Sequence, residues 1–411
     1  MPKCFFLPTS VNAALLPGWK VIFCISVFQI ATLNLLLVSV LYPWIFLAAL
    51  ELFEIFKPLT ISHSMIIFAS IIYLLIVYTF LFLFPTSFSL TEASIVSQIL
   101  SLMYSSYFFV LYFIDLKDNF ITQDFAFEMS LIGLSCVLIS FICSCIFFAF
   151  KDEFFHRVAI PPILFALSFV LLNGVDKITN LASEMFKNRF TLLMWMIYSA
   201  VFIVLMIKYS KGLSSKNRQK QNAFRKLYHF LLAIILTPIY YSNLGFLKLV
   251  LGLLLAPVLL LEFSRVISKF QALNDFFQRF SNSFDAGNLI VSHIFLLLGC
   301  SIPIWLAEKP DISGLSGIIS IGIGDAFASI IGIGVGRIKI VKTDKTVEGL
   351  IGGFMSMCIF LYFLNGFSIE AKDVICLFLI SLWEVFNAEN DNLTLPLVSW
   401  SLFSIFNAIK F

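Results

Sequence analysis

Residues Ile321–Gly353 read IGIGDAFASIIGIGVGRIKIVKTDKTVEGLIGG, and this stretch decides how the chain is understood. Its first half is apolar and glycine-rich enough to lie in hydrocarbon, yet Asp325 sits inside it. It then crosses a short basic run and ends at Lys345-Thr346-Val347-Glu348-Gly349. An ionised side chain at bilayer depth costs at least ~2.5 kcal/mol on insertion scales, so an acid there marks a candidate functional site.

The rest of the chain agrees that the solvent is lipid. Of 411 residues 60% are hydrophobic and 12% charged, and the mean hydropathy is +0.99. Water-soluble domains carry about 25% charged residues. Apolar runs near the ~20 residues needed to cross hydrocarbon recur from end to end. The alternating short segments of a barrel are absent. The expected fold is therefore all-α, a polytopic transmembrane helical bundle of roughly thirteen spans. The expected spans are Val21–Leu41, Met65–Phe84, Ile95–Ile114, Met129–Phe150, Ile160–Leu172, Phe190–Ile207, Leu227–Tyr241, Leu244–Leu261, Leu289–Ala307, Gly314–Gly336, Gly349–Phe367, Val374–Phe386 and Leu395–Phe411. Trp44–Phe56 is apolar but short and holds Glu51 and Glu54, which suits the interface. The eight cysteines lie in or beside apolar segments without metal-ligand spacing and read as small hydrophobes.

Charge placement sets organisation and orientation. The segment KYSKGLSSKNRQKQNAFRK holds Lys208, Lys211, Lys216, Arg218, Lys220, Arg225 and Lys226 and no acid. The positive-inside rule puts it in the cytosol. Counting spans onward, the loops carrying Arg337, Lys339, Lys342 and Lys345 and the Asn387–Asn392 loop fall on the same side. The chain thus divides into a many-spanned scaffold or lipid-groove region (1–207), a basic cytosolic loop (208–226) and a catalytic region (227–411).

Several polar clusters stand out from this apolar background. Gly324, Ala328, Gly332 and Gly336 recur every four residues and share one helix face, the small-xxx-small pattern of close helix packing. Packing leaves Asp325 unexplained. A positive-inside flank accounts for Arg337 and Lys339, but not for Lys345, Thr346, Glu348 and Gly349 in tight succession. A lysine supplies a point charge for phosphate oxygens. A carboxylate helps hold Mg²⁺, which takes its remaining ligands from phosphates and water. No GxxxxGK[ST] P-loop is present. A third cluster, EVFNAENDNLTLP, holds Glu384, Glu389, Asp391 and Asn392, with Pro396 suited to the first turn of the last span. The adjacent Asp391-Asn392 pair offers oxygens to a divalent cation. The run RKLYHF brings Arg225, Lys226 and His229, and Glu262 and Arg265 are spaced to pair with each other.

Read together, Asp325, Glu348 and Asp391 are candidates for metal ligation, with Asn392 beside them, or for the base that takes a hydroxyl proton. Lys342, Lys345, Arg225 and Lys226 are candidates for neutralising phosphates. Phosphoryl transfer asks for positioning, cations and a metal more than for covalent chemistry. A site facing a bilayer calls for a lipid-soluble acceptor.

The stretches GDAFASIIGIGVG, KTVEG, DNLTLP and RKLYHF resemble the CTP-dependent lipid kinases, which include dolichol kinases, phytol kinases and a CTP-using diacylglycerol kinase. Asp285–Leu306 (DAGNLIVSHIFLLLGCSIPIWL) resembles the dolichol kinases more narrowly. The likeness covers about residues 225–411. It implies a CTP-binding loop near 337–353, containing Arg337, Lys339, Lys342, Lys345, Thr346 and Gly349 and following Gly332 and Gly336. It also implies functional roles for Asp325, Glu348, Asp391 and Asn392. Beyond the site, it implies a divalent cation such as Mg²⁺, CTP as donor and dolichol as acceptor. The resemblance further implies the endoplasmic reticulum membrane as the place, with dolichyl phosphate made there for protein glycosylation. Diacylglycerol or phytol as acceptor, and a cytidylyltransferase acting on a phospholipid, are neighbouring enzymatic readings. A secondary transporter is the alternative from another class. It would use Asp325 and a broken helix near the midplane, but the sequence shows no internal repeat and its polar clusters gather on one side.

Overall fold

The structure is a computed structural model that describes residues 72–80, 87–89, 92–101, 129, 132–137, 139–140, 143–144, 154–210, 218–268, 285, 289–307, 309–341, 343–387 and 390–408. The expected spans at Val21–Leu41 and most of Met65–Phe84 lie outside these residues, as do Trp44–Phe56, Lys342 and Glu389. The described residues are helical and contain no β-strand, only an isolated bridge between Lys339 and Thr346. Among the described residues, three helical segments are long and apolar enough to cross a membrane: Leu244–Phe263, Ile318–Val335 and Val347–Leu364. The bent pair Ile160–Leu172 and Asp176–Lys187 makes a fourth if taken as one broken span.

The chain forms two compact units, Phe125–Ser283 and the combination of Met1–Asp124 with Phe284–Phe411. The first holds helices α1 (Phe154–Lys187), α2 (Arg189–Ser210), α3 (Arg218–Ser242) and α4 (Leu244–Ser268). Helix α1 is bent by 107° at Gly174, whose φ of 70° lies in the left-handed region open to glycine. The turns on either side of this unit are tied by amides. Asn243 accepts from the Phe246 N–H (3.1 Å), capping α4, and its side-chain NH₂ donates to Asn188 (3.1 Å). Met129 and Leu249 form a small core with Phe169, Leu181, Met185 and Leu253. The Glu262–Arg265 pair forms as its spacing suggests: the guanidinium donates to both carboxylate oxygens at 2.9 and 2.6 Å, buried within α4.

The second unit carries the clusters of interest. It contains α5 (Ser292–Leu306), a 3₁₀ turn (Ser313–Leu315), a π-helical segment (Ile318–Asp325) that continues as α6 (Ala326–Val335), then α7 (Val347–Leu364), α8 (Ala371–Phe386) and α9 (Asp391–Ala408). The single expected span Gly314–Gly336 is thus a π segment leading into an α-helix. Widened π turns recur at functional sites, and Asp325 is the last residue of this one.

The glycine stripe packs α6 against α7. A Cβ on Gly353 would lie 2.9 Å from both the Gly324 carbonyl and Ala328 Cβ, and one on Gly349 2.8 Å from the Ala328 carbonyl. Only bare backbone fits at this separation. Helix α7 shows the complementary pattern: Gly349, Gly353, Met357 and Leu361 are buried at four-residue steps, while Ile351, Met355 and Ile359 point outward. A large apolar face left uncovered is what a lipid-exposed helix presents. The far end of α7 closes with Gly366 and Phe367 in left-handed conformations (φ 65° and 68°). There Tyr362, Phe363 and Phe367 meet edge to face, with centroids 5.5 to 6.1 Å apart.

Pro396 departs from expectation. Helix α9 begins at Asp391, not at Leu395, because the Asn390 side chain caps it by accepting from the Asn392 N–H (3.2 Å). Pro396 therefore lies inside the helix and has no N–H for the Asn392 carbonyl. That carbonyl faces the backbone of α5 at Gly299, where any Cβ would collide with it. Gly299→Ala should therefore cost accumulation or thermal stability of the detergent-solubilised protein. Gly334→Ala, on α6 with nothing within 4 Å of a new Cβ, should leave stability equal or raise it by up to about 1 kcal/mol. Melting both variants beside the parent protein checks the pair.

Candidate active site

Local structure brings four charged side chains together from four elements. Asp325 ends the π segment, Glu384 lies in the last turn of α8, Asp391 opens α9 and Lys345 belongs to the turn between α6 and α7. The turn is a tight hairpin. The Ile340 N–H donates to the Lys345 carbonyl (2.9 Å), the Val347 N–H to the Ile338 carbonyl (2.9 Å), and the Thr343 N–H to Ile340 (3.1 Å). Thr346 then caps α7, its hydroxyl accepting from the Gly349 N–H (3.2 Å). This geometry fixes Lys345 in place without help from its own side chain.

One carboxylate oxygen from each of Asp325, Glu384 and Asp391 lies within 4.8 Å of the others. Lys345 Nζ donates to Glu384 Oε1 (2.6 Å) and to the Glu384 carbonyl, and stands 3.6 Å from Asp391 Oδ2. Glu384 sits at a helix C-terminus, the end that disfavours an anion, so the lysine meets both its charge and a terminal carbonyl. Asp391 sits at a helix N-terminus, the end that favours one. Its other oxygen accepts from the Asn387 NH₂ (2.7 Å), which also donates to Thr394 (2.8 Å). Asp325 and Glu384 are 3% and 7% exposed. Asp391 and Lys345, at 28% and 31% of side-chain exposure, form the mouth. Burial would lower the Lys345 pKa, but Asp391, Glu384 and the hydrogen bond to Glu384 outweigh it and hold the ammonium above the usual lysine range. The lysine therefore stays charged throughout the neutral range.

Three carboxylates and one ammonium leave an excess of negative charge in a mostly buried site. Buried charge is tolerated when it is paired or coordinates a metal. Three such oxygens converging from separate helices could hold a divalent cation.

The other candidates lie elsewhere. The Glu348 carboxylate accepts from the Arg337 N–H (3.0 Å) and the Ile338 N–H (3.2 Å), tying the hairpin to the first turn of α7. Asn392 reaches α5, its NH₂ donating to the Ser292 carbonyl (3.1 Å). Gly332, Gly336, Thr346 and Gly349 meet at the α6–α7 seam beside the hairpin. Arg337 and Lys339 are exposed on it. Arg225 and Lys226 belong to α3 in the other unit. Sequence reasoning grouped Glu384 with its neighbours but gave the third acidic role to Glu348. An acid in the last turn of an apolar helix lacks the backbone N–H groups that satisfy one in the first turn, and this was the signal available.

The chain is similar to dolichol kinases. It is 30% identical over 267 residues to dolichol kinase EVAN of Arabidopsis thaliana (61% of this chain, 44% of the relative). It is 29% identical over 228 residues to dolichol kinase sec59 of Schizosaccharomyces pombe (51% and 45%), and 29% identical over 218 residues to the human dolichol kinase (47% and 40%). The chain thus spans less than half the length of these relatives. No protein-family model and no solved structure matches it.

The electrostatics predict the result of removing the lysine. Lys345→Met leaves the acids without their ammonium and should destabilise the protein by about 1.5–3 kcal/mol, the usual worth of hydrogen bonds to charged groups. Adding Glu384→Gln should recover part of that loss. Thermal unfolding of the single and double variants in detergent measures both effects.

Proposed function

We propose that the chain is a CTP-dependent dolichol kinase, converting CTP and dolichol to CDP and dolichyl phosphate. The observation that carries this reading is the cluster of Asp325, Glu384, Asp391 and Lys345 at the ends of apolar helices, in a chain similar to dolichol kinases. In this reading Asp325, Glu384 and Asp391 hold Mg²⁺ or another divalent cation. A bound cation would neutralise charge on the phosphates and lower the barrier to transfer. Lys345 turns from the carboxylates to the phosphate oxygens as the site fills. A carboxylate of the cluster takes the proton of the acceptor hydroxyl, whose oxygen attacks the γ-phosphorus while the bond to the β-phosphate oxygen breaks and CDP leaves.

The remaining assignments rest on the sequence. Arg337 and Lys339 give the hairpin a cationic face for the nucleotide, Lys342 is assigned to the nucleotide by charge alone, and Gly332, Gly336, Thr346 and Gly349 shape its base. Glu348 and Asn392 support the site from the hairpin and from α9. Arg225 and Lys226 are assigned to phosphate by charge. CTP as donor follows from the family likeness. The basic segment 208–226 orients the site to the cytosol. With roughly thirteen spans, the protein belongs to the endoplasmic reticulum membrane and supplies dolichyl phosphate for glycosylation.

The test offers labelled CTP, with unlabelled ATP as competitor, to dolichol, diacylglycerol and phytol in parallel. Transfer to dolichol that ATP does not suppress is expected. Preference for another alcohol would reassign the acceptor, and transfer to none would refute the kinase. Asp325→Asn should lower transfer by at least about a hundredfold while the protein accumulates, and should weaken Mn²⁺ binding seen by electron paramagnetic resonance. Unchanged activity would make Asp325 a structural residue.

A further inference from the structure

Beneath the carboxylates a narrow crevice enters the bundle. Its walls come from the π segment and α6, α7, α8 and α9, and it has room for about one water molecule. Asp325 and Glu384 stand at one end. Ser320, Met357 and Ile380 mark the other, each four or five residues, about one helical turn, from Asp325, Gly353 and Glu384 respectively.

The polarity of the lining is one-sided. Leu350, Met357, Ile380 and Leu395 are apolar, while Gly324, Ala328 and Gly353 add only backbone and a methyl group. The two serines donate to their own helices, Ser320 to the Ser316 carbonyl (2.7 Å) and Ser381 to the Leu377 carbonyl (2.9 Å). Strong acceptors therefore sit at the carboxylate end and hydrocarbon lies behind them. Such a lining fits one hydroxyl donor followed by hydrocarbon. A second acceptor close to the hydroxyl, such as an ester carbonyl, would be buried without a donor.

One wall of the crevice is an adaptable side chain. The Met357 thioether lies across Gly324, where its sulfur would be 2.6 Å from any Cβ. Methionine is unbranched and changes rotamer readily to fit irregular space.

Building on the kinase reading above, we propose that this crevice receives the hydroxyl-bearing end of the acceptor lipid, with Met357 as its adaptable wall. It selects a hydrocarbon alcohol over one with ester groups beside the reacting oxygen. Only the first few carbons enter, and the rest of the chain stays in the bilayer.

The experiment uses the full chain in membranes and a polyprenol-type primary alcohol bearing a diazirine a few carbons from the hydroxyl. Irradiation followed by peptide mass spectrometry should place adducts on Leu350, Met357, Ile380 or Leu395. Adducts confined to other residues, with the probe still phosphorylated, would overturn the crevice and leave the kinase reading standing. A probe and dolichol that both fail as acceptors would remove the kinase reading and the crevice with it. A parallel measurement compares acceptors, and diacylglycerol should show kcat/KM at least about tenfold below that of the alcohol. Equal values would overturn the selectivity. In Met357→Trp the acceptor KM should rise about tenfold or more with Mn²⁺ affinity unchanged. An unaltered acceptor KM in the tryptophan variant would overturn the role of Met357.

Discussion

A buried ionised acid must be met by a cation, a metal or hydrogen-bond donors, and in the second unit this constraint acts on a cluster of three acids. Lys345 satisfies part of it by bonding Glu384 twice and standing close to Asp391. The arrangement of α6, α7, α8 and α9 around it follows. The hairpin must be short and rigid to aim the lysine, α8 must end where its last carbonyl can receive it, and α9 must begin where an acid gains from the helix dipole. Each of these is a local event set by a few residues. Their convergence gives the site a single geometry.

Close packing makes that convergence possible. The seam of Gly324, Ala328 and Gly332 against Gly349 and Gly353 brings α6 and α7 to backbone contact. On the other flank, Gly299 of α5 accepts the carbonyl of Asn392 that Pro396 leaves free. Water does not drive helices together inside a bilayer, so such associations rest on shape and on polar contacts. The charged cluster and the bare seam serve one another: the seam fixes the distance, and the cluster adds a directional contact at its end.

Much of this was legible in the residues. Composition gave the helical class, and the four-residue spacing of small residues predicted the helix face that packs. Asp325, Lys345 and Asp391 stood out because apolar surroundings make any charge conspicuous. The third carboxylate was harder to read. Glu348 and Glu384 are both acids near helix ends, and only the direction of each helix separates them. Glu348, in a first turn, finds the N–H groups of Arg337 and Ile338, whereas Glu384, in a last turn, needs a cation. The π segment left no mark in the hydrophobic pattern. The start of α9 was misplaced because a proline was given a favoured position, while an asparagine further back had already capped the helix.

In the proposed reaction, the aromatic group at the far end of α7 bears on where the acceptor lipid stands. Eighteen helical residues rise about 27 Å, close to the ~30 Å of hydrocarbon. Tyr and Trp rings favour the boundary between hydrocarbon and water. With Tyr362, Phe363 and Phe367 settled near one boundary, Thr346 and the neighbouring Lys345 come level with the other. An amphiphile already floating with its head at that level can slide in sideways, without its polar end ever crossing the greasy middle of the membrane.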